Sequence, residues 1–435
     1  MKKLYTLTFL LFAFLFSSAQ HASFCQLNLS GYNALPIYLS APTHDVLWIS
    51  TYGFNSGQYN SKTYARTTDA GATWQISAVP ELNDRGCQCV FALSADVAWI
   101  GMTDVNNGGS NSIWKTVDGG QNWQQQLTTQ YTNSGSYISS IAFFNATNGV
   151  AIGQTSYGHF EIYTTSNGGT DWDSVPHANI PVTNGNEYNY SNGYAQSGDS
   201  VWFSTSTGRI FFSYDQGHTW GVTATGNSNV ATVTMNDGRN GAAGGYSYDI
   251  EYTTTGGLTW QNRTSSIKVY TLGAIPGIPG SFVFRSDLGL YITSDFFQTN
   301  VLIDDQIPFN SDPIAMYDPT IGWTPAGSNY PDSMMMKIEN VFSKIETPQL
   351  NRSELSVFPN PVITNAAMVS FSSPEKSKAI LSLYDLSGKK VREMTAEANA
   401  GKTGLVFDFT GLSRSMYLLQ LNLNGVISQS KVILK

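Results

Sequence analysis

Charged residues are scarce in this chain: only 12% of its 435 residues are Asp, Glu, Lys or Arg, against 13% aromatic residues and 40 glycines. A surface so thin in charge is covered by Ser, Thr and Asn, which suits an exported, turn-rich β protein. The charge is also uneven. Residues 1–352 hold 14 Lys and Arg against 25 Asp and Glu, whereas residues 353–435 hold 9 against 6. An acidic body without a basic stripe excludes a nucleic-acid footprint. Cysteine is nearly missing, with three in all, so no disulfide framework defines the fold. Cys87 and Cys89, two apart, are expected on one side of one strand, where they would not bridge each other. Cys25 could pair with either, leaving one thiol free. A C-x-C pair without a neighbouring His makes no zinc set, and no metal or cofactor is expected.

Long apolar runs are missing too, apart from Leu7 to Phe16. That run is too short to span a bilayer. With Lys2 and Lys3 before it and Ser17-Ser18-Ala19 after it, it reads as a secretory signal over residues 1–19, cleaved before Gln20. Phe24 stands before Cys25 where a lipoprotein signal needs a small residue. No later segment is apolar enough to cross a membrane, so the mature protein is expected to be soluble and exported.

What the chain has in quantity is one eight-residue box. Its first copy runs from Thr67 to Trp74, with Asp69, Gly71 and Trp74 at positions three, five and eight. Asp118, Gly120 and Trp123 repeat it, then Asn167, Gly169 and Trp172, then Asp215, Gly217 and Trp220. A fifth copy keeps Gly257 and Trp260, and a worn sixth, Thr293 to Asn300, has neither Gly nor Trp in place. The closing positions 74, 123, 172, 220, 260 and 300 advance by 49, 49, 48, 40 and 40 residues. A fixed period of this size means a repeat architecture. Ahead of each box lie two short β-rich runs joined by a polar turn, such as Val90 to Leu93 and Val97 to Gly101. A third run leads into the box and a fourth leaves it. No sustained 3.6-residue apolar period appears, which sets helical repeats aside. Four antiparallel strands per repeat predict a β-propeller. The first-and-second-strand unit recurs seven times, the last around Ile314 and Trp323, so seven blades are expected, with six as the alternative. The seventh unit lacks an outer strand, which Cys25 to Leu29 is expected to supply, sparing the ring two open edges.

Within the box, the Asp or Asn is expected to accept backbone N–H groups, the Gly to take positive φ, and the Trp to anchor the sheet. This is scaffold chemistry and demands no substrate. The longest connections, around Tyr52 to Ser61, Thr103 to Ser112, Thr155 to Phe160 and His177 to Gln196, open on the face opposite the boxes. Tyr188, Tyr190 and Tyr194 in the last of these are the candidate binding residues, suited to sugar stacking or protein contact.

From 341 to 353 the repeat gives way to a polar linker. Residues 354–435 then alternate like a small antiparallel β-sandwich of the immunoglobulin-like kind. The whole is all-β: a propeller over 20–340, then the sandwich.

The boxes resemble Asp-box repeats of the sialidase (BNR) type, and with the V-x-W-I-G strands they resemble propellers of the photosystem II assembly and stability factors and their bacterial relatives. The C-terminal module is similar to the type A sorting domain of the type IX secretion system of Bacteroidetes. Pro359, Asn360 and Pro361 after Phe358, the run from Leu383 through Asp385 and Gly388 to Val391, Tyr417, and the terminal Lys431 to Lys435 carry that similarity. Ser415 departs from it, since the family usually has Gly two residues before the Tyr. The resemblance implies handling by the type IX secretion machinery, removal of the domain, and either release or attachment to the outer-membrane surface. A sialidase would need an arginine triad, a Tyr–Glu pair and an acid. Arg66, Arg85, Arg209, Arg239, Arg263 and Arg285 show no such motif, and Glu161, Glu187 and Glu251 show no assignable pair. His44, His159, His177 and His218 have no metal spacing. The expected function is therefore a secreted or surface propeller that binds protein or glycan without catalysis. A secreted Asp-box glycoside hydrolase is the alternative.

Overall fold

The computed structural model describes residues 22–27, 29, 34–53, 61–80, 85–104, 111–126, 137–228, 230–305, 313–326, 334–341, 355–373, 376–385, 389–399, 401–423 and 426–435. The signal segment, the loops around 54–60 and 105–110 and most of the 341–353 linker lie outside them. The chain divides into two compact units, residues 1–345 and 346–435.

The first unit is built from seven four-stranded antiparallel sheets among the described residues. Six of them take four consecutive strands in chain order. The first, for example, is Ala34–Thr43, Val46–Gly53, Thr63–Thr67 and Gln75–Ala78. The innermost strands of the seven sheets touch in a cycle: each contacts the next, and Ala315–Met316 of the last contacts Ala34–Thr43 of the first. Second strands read as near-continuous apolar runs because sheets cover both their faces. Their tryptophans Trp48, Trp99, Trp202 and Trp323 are fully buried.

The seventh sheet is completed from the other end of the chain. Ala22–Gln26 pairs antiparallel with Met334–Glu339, from Ala22 opposite Ile338 to Gln26 opposite Met334. The strand starts three residues earlier than expected. Leu27 and Leu29 then enter the core between the last sheet and the first, beside Leu47, Ile49 and Trp323. Ser23 Oγ donates to Glu339 Oε2 at 2.9 Å, and Lys337 pairs with the same carboxylate at 2.9 Å.

The cysteine expectation is corrected. A bulge sets Cys87 opposite Met102 but Cys89 opposite Gly101, so the two-residue spacing no longer keeps both side chains on one face. Cys87 packs with Trp48 toward the first sheet and Cys89 with Ile138 and Ile141 toward the third. Cys25 lies beside Gly71 between the last sheet and the first. All three thiols are free. Burial raises Cys87 to about 12 and raises Cys89 further, so both stay protonated.

The second unit pairs a three-stranded sheet, Ser356–Phe358, Ala366–Ser373 and Gly401–Asp408, with a four-stranded one. The latter runs Lys390–Ala398, Ser377–Tyr384, Met416–Leu423, Val426–Ile433. Val369, Phe371, Leu381, Leu383, Leu419 and Leu421 meet in one core between them.

Candidate functional site

The boxes form turns of one design. In the first, Gly71 N donates to Thr67 Oγ1 at 2.9 Å, and Thr73 N donates to Asp69 Oδ1 at 2.8 Å. Thr73 Oγ1 donates to Asp69 Oδ2 at 2.6 Å. Gly120 and Asn122 repeat this on Thr116 and Asp118, and Gly217 and Thr219 repeat it on Ser213 and Asp215. Gly169 and Asp171 do so on Thr165 and Asn167. In the fifth copy Thr255 Oγ1 replaces the carboxylate, accepting Thr259 N at 3.0 Å. The sixth keeps the turn without glycine, holding Phe296 and Phe297 at φ 55° and 65°. The opening Thr or Ser hydroxyl is a working part that the sequence reading did not assign.

Each box also latches onto the sheet before it. Gly257 has φ +94°, and a Cβ there would stand 3.0 Å from Trp202 Nε1. Trp202 Nε1 and Tyr214 OH both donate to Gly256 O, at 2.6 and 2.9 Å. Arg66 lies over the Trp48 ring and donates to Gly119 O at 2.7 Å; Lys115 lies over Trp99 and donates to Gly168 O at 2.9 Å. Trp74 and Trp123 meet Trp323 and Trp48 edge to face, so the box Trp anchors to its neighbour as well as to its own sheet. Trp172 joins the cluster of Trp99, Trp260 that of Trp202, and Trp220 packs on Phe203.

A cavity of about 680 Å³ runs along the innermost strands of the first, fourth, fifth, sixth and seventh sheets, with Tyr190, Tyr246 and Tyr270 toward the end away from the boxes. Among the described residues its lining combines Tyr38, Tyr190, Tyr194, Tyr246, Tyr270 and hydroxyl and amide side chains with aliphatic, Met and Pro groups, and holds no Asp, Glu, His, Lys or Arg. The innermost strand of the fourth sheet, Asn189–Ser197, contains Tyr190 and Tyr194, so these two belong to a strand and not to the expected loop. Between Asn189, opposite Thr205, and Tyr194, opposite Phe203, residues 190–193 face the single Ser204. They form a wide bulge. Asn192 within it has φ 56° and a buried Oδ1 without a partner. An orphaned buried acceptor costs about 1–3 kcal/mol. Such strain collects where a chain contacts ligand.

The bulge is firmly held. Asn189, itself buried, donates to Ser139 Oγ at 2.5 Å and takes a bond from Gln154 Nε2 on its backbone oxygen at 2.8 Å. Glu187 is fully buried and pairs with Arg209 through Nε at 3.1 Å and through Nη2. Thr207 donates to Glu187 Oε1 at 2.6 Å, Asn184 N to Oε2 at 2.9 Å, and Arg209 Nη2 to Val182 O at 2.9 Å. Burial pushes the Glu187 carboxyl up, but Arg209 and the hydroxyls outweigh it and hold the pKa below its usual range.

Four of the tyrosines form two edge-to-face pairs at this end: Tyr188 with Tyr190 at 5.5 Å and Tyr246 with Tyr270 at 5.7 Å. Tyr188 and Tyr246 are about half exposed. Burial, then Tyr188 and Tyr246, push Tyr190 to about 12. Burial also raises Tyr194, whose ring packs toward the core shared by the third and fourth sheets. Lys268 Nζ lies 5.0 Å from the Tyr270 ring without lining the cavity. His159 and His177 stack at 4.6 Å nearby in the chain path, and His159 Nδ1 meets Ile180 O at 2.9 Å.

In the second unit Asn360 ties the C-terminus. Its Nδ2 donates to Lys431 O at 2.6 Å and its Oδ1 accepts Ile433 N at 3.0 Å. The bonds before Pro359 and Pro361 are both cis. Asp385 Oδ1 accepts Lys389 N at 3.1 Å, Tyr417 OH donates to Ser413 O at 2.8 Å, and Ser415 O accepts Leu434 N at 2.9 Å. Gly388 lies outside the described residues.

Residues 356–435 match the family described as the secretion system C-terminal sorting domain. The chain therefore carries a type IX sorting tail. No curated protein matches it. In structure it is similar to YCF48 bound to D1 peptide, at 16% identity and a TM-score of 0.53, over 73% of this chain and 97% of that one. It is also similar to YCF48 from Cyanidioschyzon merolae, at 12% and 0.51, over 73% and 98%. The first unit is a β-propeller of four-stranded blades. Among the described residues no helix is long and apolar enough to cross a membrane.

Proposed function

We propose that this is an exported binding propeller, not an enzyme, which takes a protein or glycan ligand at the tyrosine-rimmed cavity between its innermost strands. The uncharged, aromatic and hydroxyl-rich lining carries this reading. It offers ring faces and neutral hydrogen-bonding groups, and none of the carboxylates a glycosidase needs among its described residues. The structural likeness to a YCF48 held with a peptide fits a propeller of this kind serving as a receptor. In this reading the signal is cleaved before Gln20, the ring closes on seven blades within 20–340, and residues 354–435 are removed after passage through the type IX machinery of a Bacteroidetes bacterium. The mature protein is then released or held at the cell surface.

The test is binding of the full secreted chain, and of a Tyr188→Ala/Tyr190→Ala/Tyr246→Ala variant, to glycan and peptide arrays, alongside assays on chromogenic glycosides. Binding by the wild type that the variant loses is the expected result. Glycoside turnover, or binding indifferent to the three tyrosines, would overturn it.

A further inference from the structure

The bulge at 190–193 gives the cavity a more specific character than its tyrosines alone. Other innermost strands slip by single residues, as at Cys87/Cys89 and Ile138/Ser140, or keep one-to-one register, as Thr271–Ala274 does with Phe282–Ser286. The fourth sheet instead pushes Tyr190, Ser191, Asn192 and Gly193 into the cavity wall. The bulge itself and the fifth sheet leave this wall little room to relax: a Cβ on Gly193 would meet Tyr190 Cβ at 3.0 Å and Ala231 O at 3.2 Å. Asn192 sits left-handed, with its amide oxygen buried and unpartnered. Tyr137, linked to Ser191 by a hydrogen bond, and Tyr188 extend the aromatic rim beyond the bulge. Burial raises the Tyr137 and Tyr190 phenols above their usual range, so these two remain neutral donors and acceptors.

We infer that the cavity is built for an uncharged polysaccharide chain, sugar faces stacking on Tyr188, Tyr190 and Tyr246 while the phenol, hydroxyl and amide groups of the wall meet the sugar hydroxyls. The inference rests on the binding reading above and narrows its ligand. Sugar hydroxyls donate and accept at once, which matches phenol, hydroxyl and amide groups and needs no counter-charge. Aromatic rings supply apolar area with a polar tip, the mixture a pyranose presents. A volume of about 680 Å³ lies within the roughly 300–1,000 Å³ of small-ligand sites, enough for a short stretch of chain and not a folded partner. An acidic peptide or an anionic polysaccharide would enter a lining without a cation among its described residues.

Affinity electrophoresis of the full secreted chain through gels containing laminarin, mannan or dextran tests this, with heparin and polygalacturonate as charged probes. Retardation by at least one neutral polymer is expected. Tyr190→Ala and Tyr246→Ala should each weaken it about tenfold or more, as loss of a central aromatic contact does. Tyr157→Ala, at a residue 85% exposed and outside the lining, should change nothing. Retardation by charged polymers alone, or by neutral ones equally in every variant, would overturn the inference. Rim-dependent binding of peptides instead would overturn it while leaving the binding function standing. No rim-dependent ligand of any kind would overturn both.

Discussion

Gly257 shows how much a single residue of the scaffold is asked to do. It needs a left-handed backbone and also lacks room for a Cβ beside Trp202, whereas Gly158, at φ +81°, has nothing within 4 Å. Gly158→Ala therefore meets only the backbone penalty, about 1 kcal/mol, and Gly257→Ala should cost about 2–3 kcal/mol. Thermal melts of the two variants would show it, and equal shifts would remove the latch from the account. Glu187→Gln leaves Arg209 buried against a neutral partner and should cost about 3 kcal/mol at pH 7. Because the Glu187 pKa is lowered by folding, its contribution is present above the unfolded value of about 4.3 and lost as pH falls through the folded one. The stability gap between wild type and Glu187→Gln, read from urea midpoints, should therefore narrow in acid. The box Asp, Gly and Trp were legible because they recur. Thr67 and its counterparts were visible but carried no distinctive chemistry until their hydroxyls were seen accepting the glycine N–H. Glu187 and Arg209 occur once, 22 residues apart, and nothing local announces their pairing. Asn192 and Gly193 fell within the long connection from His177 to Gln196, and they sit inside a bulged strand.

At the scale of the element, the box turn is a pH-dependent part. In Asp69 the bonds from Thr73 lower the pKa, and in Asp118 those from Asn122 do. In Asp215 and Asp295 burial works upward, but the hydroxyl and backbone donors outweigh it. All four stabilise the folded state above the unfolded carboxyl value of about 3.9, and that support fades as pH falls below it. Propeller melting temperature should therefore hold from neutral pH to about 5 and decline below about 4. Asp215→Asn copies the natural Asn167, so it should be mild at pH 7 and flatten the acid decline. An unchanged decline would locate it elsewhere. The N-terminal strand is the second element of consequence. Leu27→Ala empties a fully buried site between the last and first blades and should cost about 3 kcal/mol. A melt unchanged by it would mean the strand does not clamp the ring. That strand was legible from a deficit, the missing fourth strand of the seventh repeat. Two strands of the sorting domain were not. Lys390–Ala398 mixes Lys, Arg and Glu with apolar residues as a half-exposed strand at the edge of its sheet, and Ala366–Ser373 is short of bulky β formers. The bulge between Cys87 and Cys89 was equally silent, since a spacing of two predicts a face only where register is unbroken.

At the scale of the whole molecule, two units divide two tasks. The sorting tail is an address, so a chain ending at residue 353 should fold its propeller and fail to reach the medium or cell surface. Fractionation of cells expressing the two forms checks this, and export of the shortened form would contradict it. The propeller's fold was the most legible feature of all, because repetition averages away local ambiguity. The cavity was the least, because its lining gathers residues from five innermost strands far apart in the chain. The pairing of Ala22–Gln26 with Met334–Glu339 also sets a timetable. The segment that emerges first is the last to find its place, more than 300 positions of chain later. Until the final blade exists, the opening strand has no lawful neighbour, and both ends of the growing sheet stack stay adhesive. Contacts of such sequence separation make assembly slow and all-or-none. Delivery across a membrane must then either keep the chain unfolded to its end or shield that first strand while it waits.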